Sequence, residues 1–183
     1  MFGRRLLAPM LLLSCLLGAP REASAVWPLD PANGNVVVAA ALGNQQAPVA
    51  VSDSAGGTII AWFDYRNGAA ADIYVQRLSA AGVPLWLANG VALCTAGSEQ
   101  TFPRITSDGA GGAVVTWTDY RNGSNYDIYA QRINADGVVQ WDANGVGVCL
   151  APGFQLSPSI APDGTGGAIV TWHDQRSGTY DIY

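Results

Sequence analysis

An all-β fold made of repeated four-stranded antiparallel sheets is what this sequence predicts, and three observations predict it. Residues 48–172 repeat with a period of 55, so that Pro48, Pro103 and Pro158, then Trp62, Trp117 and Trp172, Asp64, Asp119 and Asp174, and Arg66, Arg121 and Arg176 fall in register. Trp86 and Trp141, Asn89 and Asn144, and Cys94 and Cys149 keep the same spacing. Within each repeat, short runs of β-branched and aromatic residues are separated by Asp-Gly and Asn-Gly turns. The 22 glycines and 10 prolines of the 183 residues, with 49% hydrophobic residues, suit a turn-rich globular chain. Self-similarity of this length marks a supersecondary unit that stacks on copies of itself.

The second repeat justifies each element in order. Pro103 to Ser107 is short and extended, and Asp108-Gly-Ala-Gly-Gly112 turns the chain, because glycine supplies positive φ and aspartate bonds to the backbone two residues on. Ala113 to Arg121 reads as the second strand, closed by Asn122-Gly123. Tyr126 to Asn134 is the third, turned by Ala135-Asp136-Gly137. The fourth runs from Val138 to Trp141, breaks at Asn144-Gly145 and resumes from Val146 to Cys149. Four short antiparallel strands in a meander, repeated, read as blades of a β-propeller.

The ends of the chain are read by the same ruler. Arg4 and Arg5 precede an apolar run from Leu6 to Gly18, and Ala23-Ser24-Ala25 offers a small-x-small cleavage site, the pattern of a signal peptide. Leu12-Leu13-Ser14-Cys15 offers a second reading, a lipoprotein box with Cys15 acylated. Ala32-Asn33-Gly34 matches the Ala-Asn-Gly of the later repeats, but Asn33 lies 56 before Asn89, so one residue is inserted before Pro48. The predicted organisation is a signal peptide over 1–25, the tail of a partial blade over 26–47, blade repeats over 48–102 and 103–157, and a truncated third repeat over 158–183. The chain reads as about two and a half blades of a longer protein.

Charge excludes some partners. Setting aside Arg4, Arg5, Arg21 and Glu22 leaves 6 basic residues against 13 acidic ones, a formal net charge of −7 with no lysine. Such acidity argues against nucleic acid, which requires a basic surface. The apolar run is too short to span a bilayer, which takes roughly 20 residues.

A residue present in every copy reads as architecture, since a catalytic group is needed once. Alternation puts Trp117, Asp119 and Arg121 on one face of a strand buried on both sides, where charges are tolerated only when paired. A network of Asp119 and Arg121 with Asp127 or Arg132 is expected, its job to fix how blades dock; the alternative is a ring of ligand-binding residues, one per blade. Cys94 and Cys149 are expected to stay unpaired, because equivalent points on stacked sheets lie about 10 Å apart and a disulfide needs Cα atoms within roughly 7 Å. Asp53, Asp108 and Asp163 head Gly-rich turns; turn-capping is the favoured role, calcium the alternative. Tyr65 and Tyr120 beside the Asn-Gly hairpins offer a carbohydrate-stacking surface, broken by Gln175 in the third copy. His173, the only histidine, stands where Phe63 and Thr118 stand and reads as a strand residue.

Asn134-Ala-Asp136-Gly-Val-Val-Gln-Trp141 resembles a degenerate Asp-box, the Ser-x-Asp-x-Gly-x-x-Trp turn of sialidase-like propellers, with Asn134 for the Ser and Val138 for the Gly; the first copy has Ala81 where the Asp belongs. With the Trp-x-Asp-x-Arg and Asp-Ile-Tyr-x-Gln-Arg segments, residues 48–183 resemble repeats of large secreted bacterial proteins that often carry a C-terminal sorting domain. The resemblance implies an exported or surface-attached propeller. It does not imply sialidase activity, which uses three arginines around the substrate carboxylate, a Tyr-Glu pair and an acid Asp. Here every arginine after Arg21 except Arg104 sits at a repeated position, and Glu99, the only glutamate after Ala25, has no tyrosine partner in its loop.

The expectation is therefore a non-catalytic, secreted or cell-surface propeller fragment that acts as a binding or display scaffold, with neighbouring blades of the full-length chain and a protein or carbohydrate ligand as partners. No catalytic, cofactor-binding or metal-ligating residue is assigned, and no cofactor. The alternative is part of a secreted glycan-active, sialidase-like enzyme whose catalytic residues lie in other blades.

Overall fold

The computed structural model describes residues 35–183, so the signal-peptide reading, Cys15 and the Ala32-Asn33-Gly34 turn lie outside the described residues. Eleven strands form three antiparallel sheets, with no helix among the described residues. The first sheet contains β1 (Gln45–Ser52), β2 (Thr58–Asp64), β3 (Asp72–Leu78) and β4 (Val91–Cys94), paired in chain order. The second repeats it with β5 (Gln100–Ser107), β6 (Ala113–Asp119), β7 (Asp127–Ile133) and β8 (Val146–Cys149). The third holds β9 (Gln155–Pro162), β10 (Ala168–Asp174) and β11 (Asp181–Ile182).

The first strand of each sheet starts at Gln45, Gln100 or Gln155, ahead of the repeated proline. A bulge makes this possible. The register slips between Thr101 and Arg104, and Phe102 takes φ of 52°, as Ala47 (48°) and Ser157 (54°) do in their sheets. The kink lets a strand with a proline in it keep pairing on both sides of the slip.

The fourth strand corrects the expectation for Val138 to Trp141. Only Val139 bridges to Ile133, and the regular ladder is confined to Val146–Cys149. The reason is Gln131, fully buried, whose Oε1 accepts from Trp141 N at 3.0 Å and whose Nε2 donates to Asp142 O at 2.8 Å. Its amide takes the place of a ladder partner. Gln76 does the same for Trp86 N and Leu87 O in the first sheet.

Successive sheets pack face to face. One buried cluster joins Ile59, Ala61, Phe63, Ile73 and Val75 of the first sheet to Ala113, Val115, Trp117 and Ile133 of the second. The turns add polar stitches. Ala40 N donates to Asn89 Oδ1 and Thr95 N to Asn144 Oδ1, each at 2.9 Å, and both asparagines hold left-handed φ near 64° (63° and 65°). The Ala40–Thr95 equivalence restores the 55-residue spacing, so the inserted residue falls before Ala40. Between the first two sheets, Trp86 Nε1 and Arg77 Nη1 both donate to Ala135 O, at 3.0 and 3.1 Å.

Candidate functional site

The repeated charges form two separate clusters, not the single network expected. In the first, Trp117 Nε1 donates to Asp119 Oδ2 at 2.8 Å, and Arg121 Nη2 reaches the same oxygen at 2.6 Å. Arg121 also donates to Asn144 O at 2.8 Å, lies 3.7 Å over the Tyr129 ring, and donates to Cys94 Sγ of the preceding sheet at 3.2 Å. The first and third sheets repeat the pattern with Trp62, Asp64, Arg66 and Tyr74, and with Trp172, Asp174, Arg176 and Tyr183. Burial pushes the Asp64 carboxyl up, but bonds from Arg66 and Trp62 bring it below the ordinary value; at Asp174 the bond from Arg176 leads the same fall.

Arg132 belongs to the second cluster, where it pairs with Asp108 at 3.0 Å. Asp108 Oδ1 caps the turn by accepting from Ala110 N and Gly112 N, as Asp53 Oδ1 does for Ala55 N and Gly57 N with Arg77 on its other oxygen. Asp163 accepts from Thr165 N and Gly167 N. At Asp53 and Asp108 the two carboxylate oxygens are thus turned to backbone and guanidinium, the turn-capping role. No three His, Cys, Asp or Glu groups among the described residues could hold a metal. Asp127 is bonded by Asn122 and Asn125 instead of joining Asp119. Burial and the nearby Asp119 charge raise its carboxyl.

Cys94 is buried and free, Cys149 half-buried and free. Burial pushes the Cys94 thiol up to about 11, which keeps it protonated and inert despite Arg121.

The end of the sheets where the second and third strands of each repeat meet gathers aromatics, among them Phe102, Tyr126 and Phe154, which do not repeat at the 55-residue spacing. Tyr120 and Tyr126 have ring centroids 4.7 Å apart, and Tyr126 lies 6.1 Å from Phe154. In the preceding unit Phe63 meets Tyr65 at 5.9 Å and Phe102 at 6.0 Å; in the third, His173 faces Tyr180 at 6.3 Å. Phe102 is 55% exposed and carries its ring on a left-handed backbone that phenylalanine rarely adopts. Asn125 pins the hairpin to the next loop through Gly153 O at 2.7 Å, and Asn122 holds Ser124 and Asn125 by their N–H groups. Burial, with Glu99 and Tyr120 nearby, raises the Tyr126 hydroxyl. Of this rim, sequence reasoning singled out Tyr65 and Tyr120 and missed Phe102, Tyr126 and Phe154. Their signal was available as breaks in the period, since Ala47, Ala71 and Ser157 occupy positions where Phe102, Tyr126 and Phe102 again have aromatics.

Comparison with protein families, with curated proteins and with solved structures finds no match.

Proposed function

We propose that the three sheets are successive blades of an exported, Asp-box-type β-propeller, and that the chain is a binding scaffold whose aromatic rim stacks on the rings of a carbohydrate. The meander within each sheet and the equivalent docking between sheets support the blade reading. The observation that carries the binding reading is Phe102, an exposed aromatic ring packed on Phe63 at the end of the sheets that also carries the Tyr120–Tyr126–Phe154 cluster. The same backbone recurs at Ala47 and Ser157, so the exposed ring, not the bulge, is what is particular to this unit. Rings with a polar handle, flanked by amides, suit a ligand with an apolar face and a hydroxylated edge.

Affinity electrophoresis in gels containing soluble cellulose derivatives, xylan, pectin or mucin glycans tests this. Retardation by at least one polymer is expected, lost on Phe102→Ala with Phe154→Ala while the unfolding free energy from urea curves stays within about 0.5 kcal/mol of the parent. Mobility unchanged in every gel, or retardation that survives the double substitution, overturns it.

A further inference from the structure

We propose that the rim prefers a carbohydrate with a protonated amine, an amino-sugar unit whose apolar face meets Tyr120, Tyr126 and Phe154 and whose ammonium meets the Glu99 carboxylate. The inference rests on the carbohydrate reading and narrows it. Glu99 immediately precedes β5, whose Gln100 lies opposite Asp119 of β6. Its carbonyl accepts from Tyr120 N at 2.8 Å, which carries the pairing one step past the ladder. Residues directly opposite each other on an antiparallel pair are side-chain neighbours on one face, so Glu99 stands beside Tyr120. The Tyr120 ring is 4.7 Å from that of Tyr126, and Tyr126 is 6.1 Å from Phe154. Burial first, then the Glu99 charge, raises the Tyr126 hydroxyl, so the carboxylate is within Coulombic reach of the second ring as well.

The fold does not require an acid at this place. The main-chain bond recurs from Tyr65 N to Asn44 O and from Gln175 N to Phe154 O, each at 2.9 Å, while the side chains at the three positions are Asn, Glu and Phe. Nor does Glu99 neutralise a cation of the chain. Arg66, Arg77, Arg121, Arg132 and Arg176 each pair with an aspartate. Arg104 donates to Pro103 O and lies opposite Thr116, farther along β5, and the chain has no lysine. Glu99 is half-buried and has no ion pair among the described residues. Burying part of a charge without a partner is unfavourable, and a bound cation would relieve it. A protonated amine is attracted both to a carboxylate and to aromatic faces, and the sugar ring that carries it supplies an apolar face for stacking. A uronic acid would bring a like charge to Glu99, and a neutral sugar would use the rings alone.

Isothermal titration calorimetry on the 183-residue chain in mildly acidic buffer tests this, with tetrasaccharides of chitosan, chitin and cellulose as titrants. The three share one backbone and differ only in the group on the second ring carbon: ammonium, acetamide or hydroxyl. The chitosan tetramer should bind about threefold or more tighter than the other two. Glu99→Gln should bring it to the affinity of the cellulose tetramer, with an unchanged urea curve, because the bond to Tyr120 N is made by the main chain. Asp136→Asn removes the same charge from an exposed turn at the opposite end of the sheet, next to the Ala113–Ile133 pair. That variant should keep the preference for chitosan, which separates a contact at the rim from the pull of the chain's net negative charge. Equal affinities for the chitosan and cellulose tetramers or for the chitosan and chitin tetramers, a preference that survives Glu99→Gln, or one lost equally in Asp136→Asn overturns the inference and leaves the carbohydrate reading in place. Binding of none of the three overturns it too, and the gels then decide separately whether the carbohydrate reading falls with it.

Discussion

Replacing Asp119 by alanine removes the carboxylate to which both Trp117 and Arg121 donate. Trp117 is fully buried, and its indole N–H donates to Asp119 at 2.8 Å. Leaving that donor without an acceptor costs about 1–3 kcal/mol. Arg121 loses its partner on both Nε and Nη2 but keeps Asn144 O and the Tyr129 ring, and its side chain is 21% exposed. Water therefore softens a loss that reaches about 3–5 kcal/mol for a fully buried pair. Together the substitution should cost about 3 kcal/mol, a fall of roughly 1–2 M in the urea midpoint at unchanged slope. Asp64→Ala should match it, since Trp62 and Arg66 are as well enclosed. Asp174→Ala should cost less than half as much, because the neighbouring Arg176 is 35% exposed and Trp172 is half-buried. Urea curves at one protein concentration check the order. Unchanged midpoints for Asp119→Ala, or an equal loss for Asp174→Ala, would refute the burial argument and return these residues to the ligand-binding alternative.

Three further outcomes follow from the same geometry. A Cβ at Gly145, where φ is +85°, would sit 2.6 Å from Trp117 and 2.7 Å from Ala130 O, so Gly145→Ala should lower the unfolding free energy from urea curves by more than about 2 kcal/mol, and by more than Gly123→Ala, whose Cβ meets nothing. Iodoacetamide should modify Cys149 ahead of Cys94 in the native chain, read by peptide mass; simultaneous labelling would show that the Cys94 enclosure opens. Burial raises Asp53, Asp64 and Asp108, but bonds from backbone N–H groups and arginines bring them below 3.8, so their stabilisation is complete above pH 3.8 and is lost as pH falls through the lowered values. Burial leaves Asp72 and Asp127 raised; their stabilisation comes with protonation and is lost as pH rises through their folded values. The urea midpoint should therefore rise slightly from pH 7 towards pH 4 and fall below pH 3.8, and a midpoint that keeps rising in stronger acid contradicts the assignment.

Much of the architecture was legible because the period and the turn residues are local. Asp108 and Asn122-Gly123 bracket the second strand of the middle sheet to within two residues, and Asp53, Asp108 and Asp163 cap the turns they head. What escaped depends on partners distant in sequence. Val138 to Trp141 alternates like a strand, yet its main-chain pairing stops at Gln140 N to Arg132 O, beyond which the amide of Gln131 takes Trp141 N and Asp142 O. Arg132 reads equally well as a partner for Asp119 or Asp108; only the pairing of β6 with β7, which sets Arg132 opposite Val114 near the turn end of the sheet, decides for Asp108. The aromatic rim was only half visible for a related reason. A search for repeats weights what recurs, and Phe102, Tyr126 and Phe154 do not.

Under the proposed binding function, the division between recurring and non-recurring residues separates scaffold from site. Position 102 shows it within a single residue. The backbone recurs, with φ of 48°, 52° and 54° at Ala47, Phe102 and Ser157, so the bulge belongs to the fold. The side chain does not recur, and neither alanine nor serine suggests that the bulge itself needs a ring. A left-handed backbone costs an ordinary residue about 1–2 kcal/mol, and glycine, which avoids that cost, stands at none of the three places. Packing of the flanking residues, Thr101 and Pro103 buried on either side of Phe102, holds the kink whatever side chain it carries. The side chain is then free to change without loss of the strand. In the middle unit it is an exposed phenylalanine at the rim, the position where the proposed scaffold would acquire a preference for one ligand.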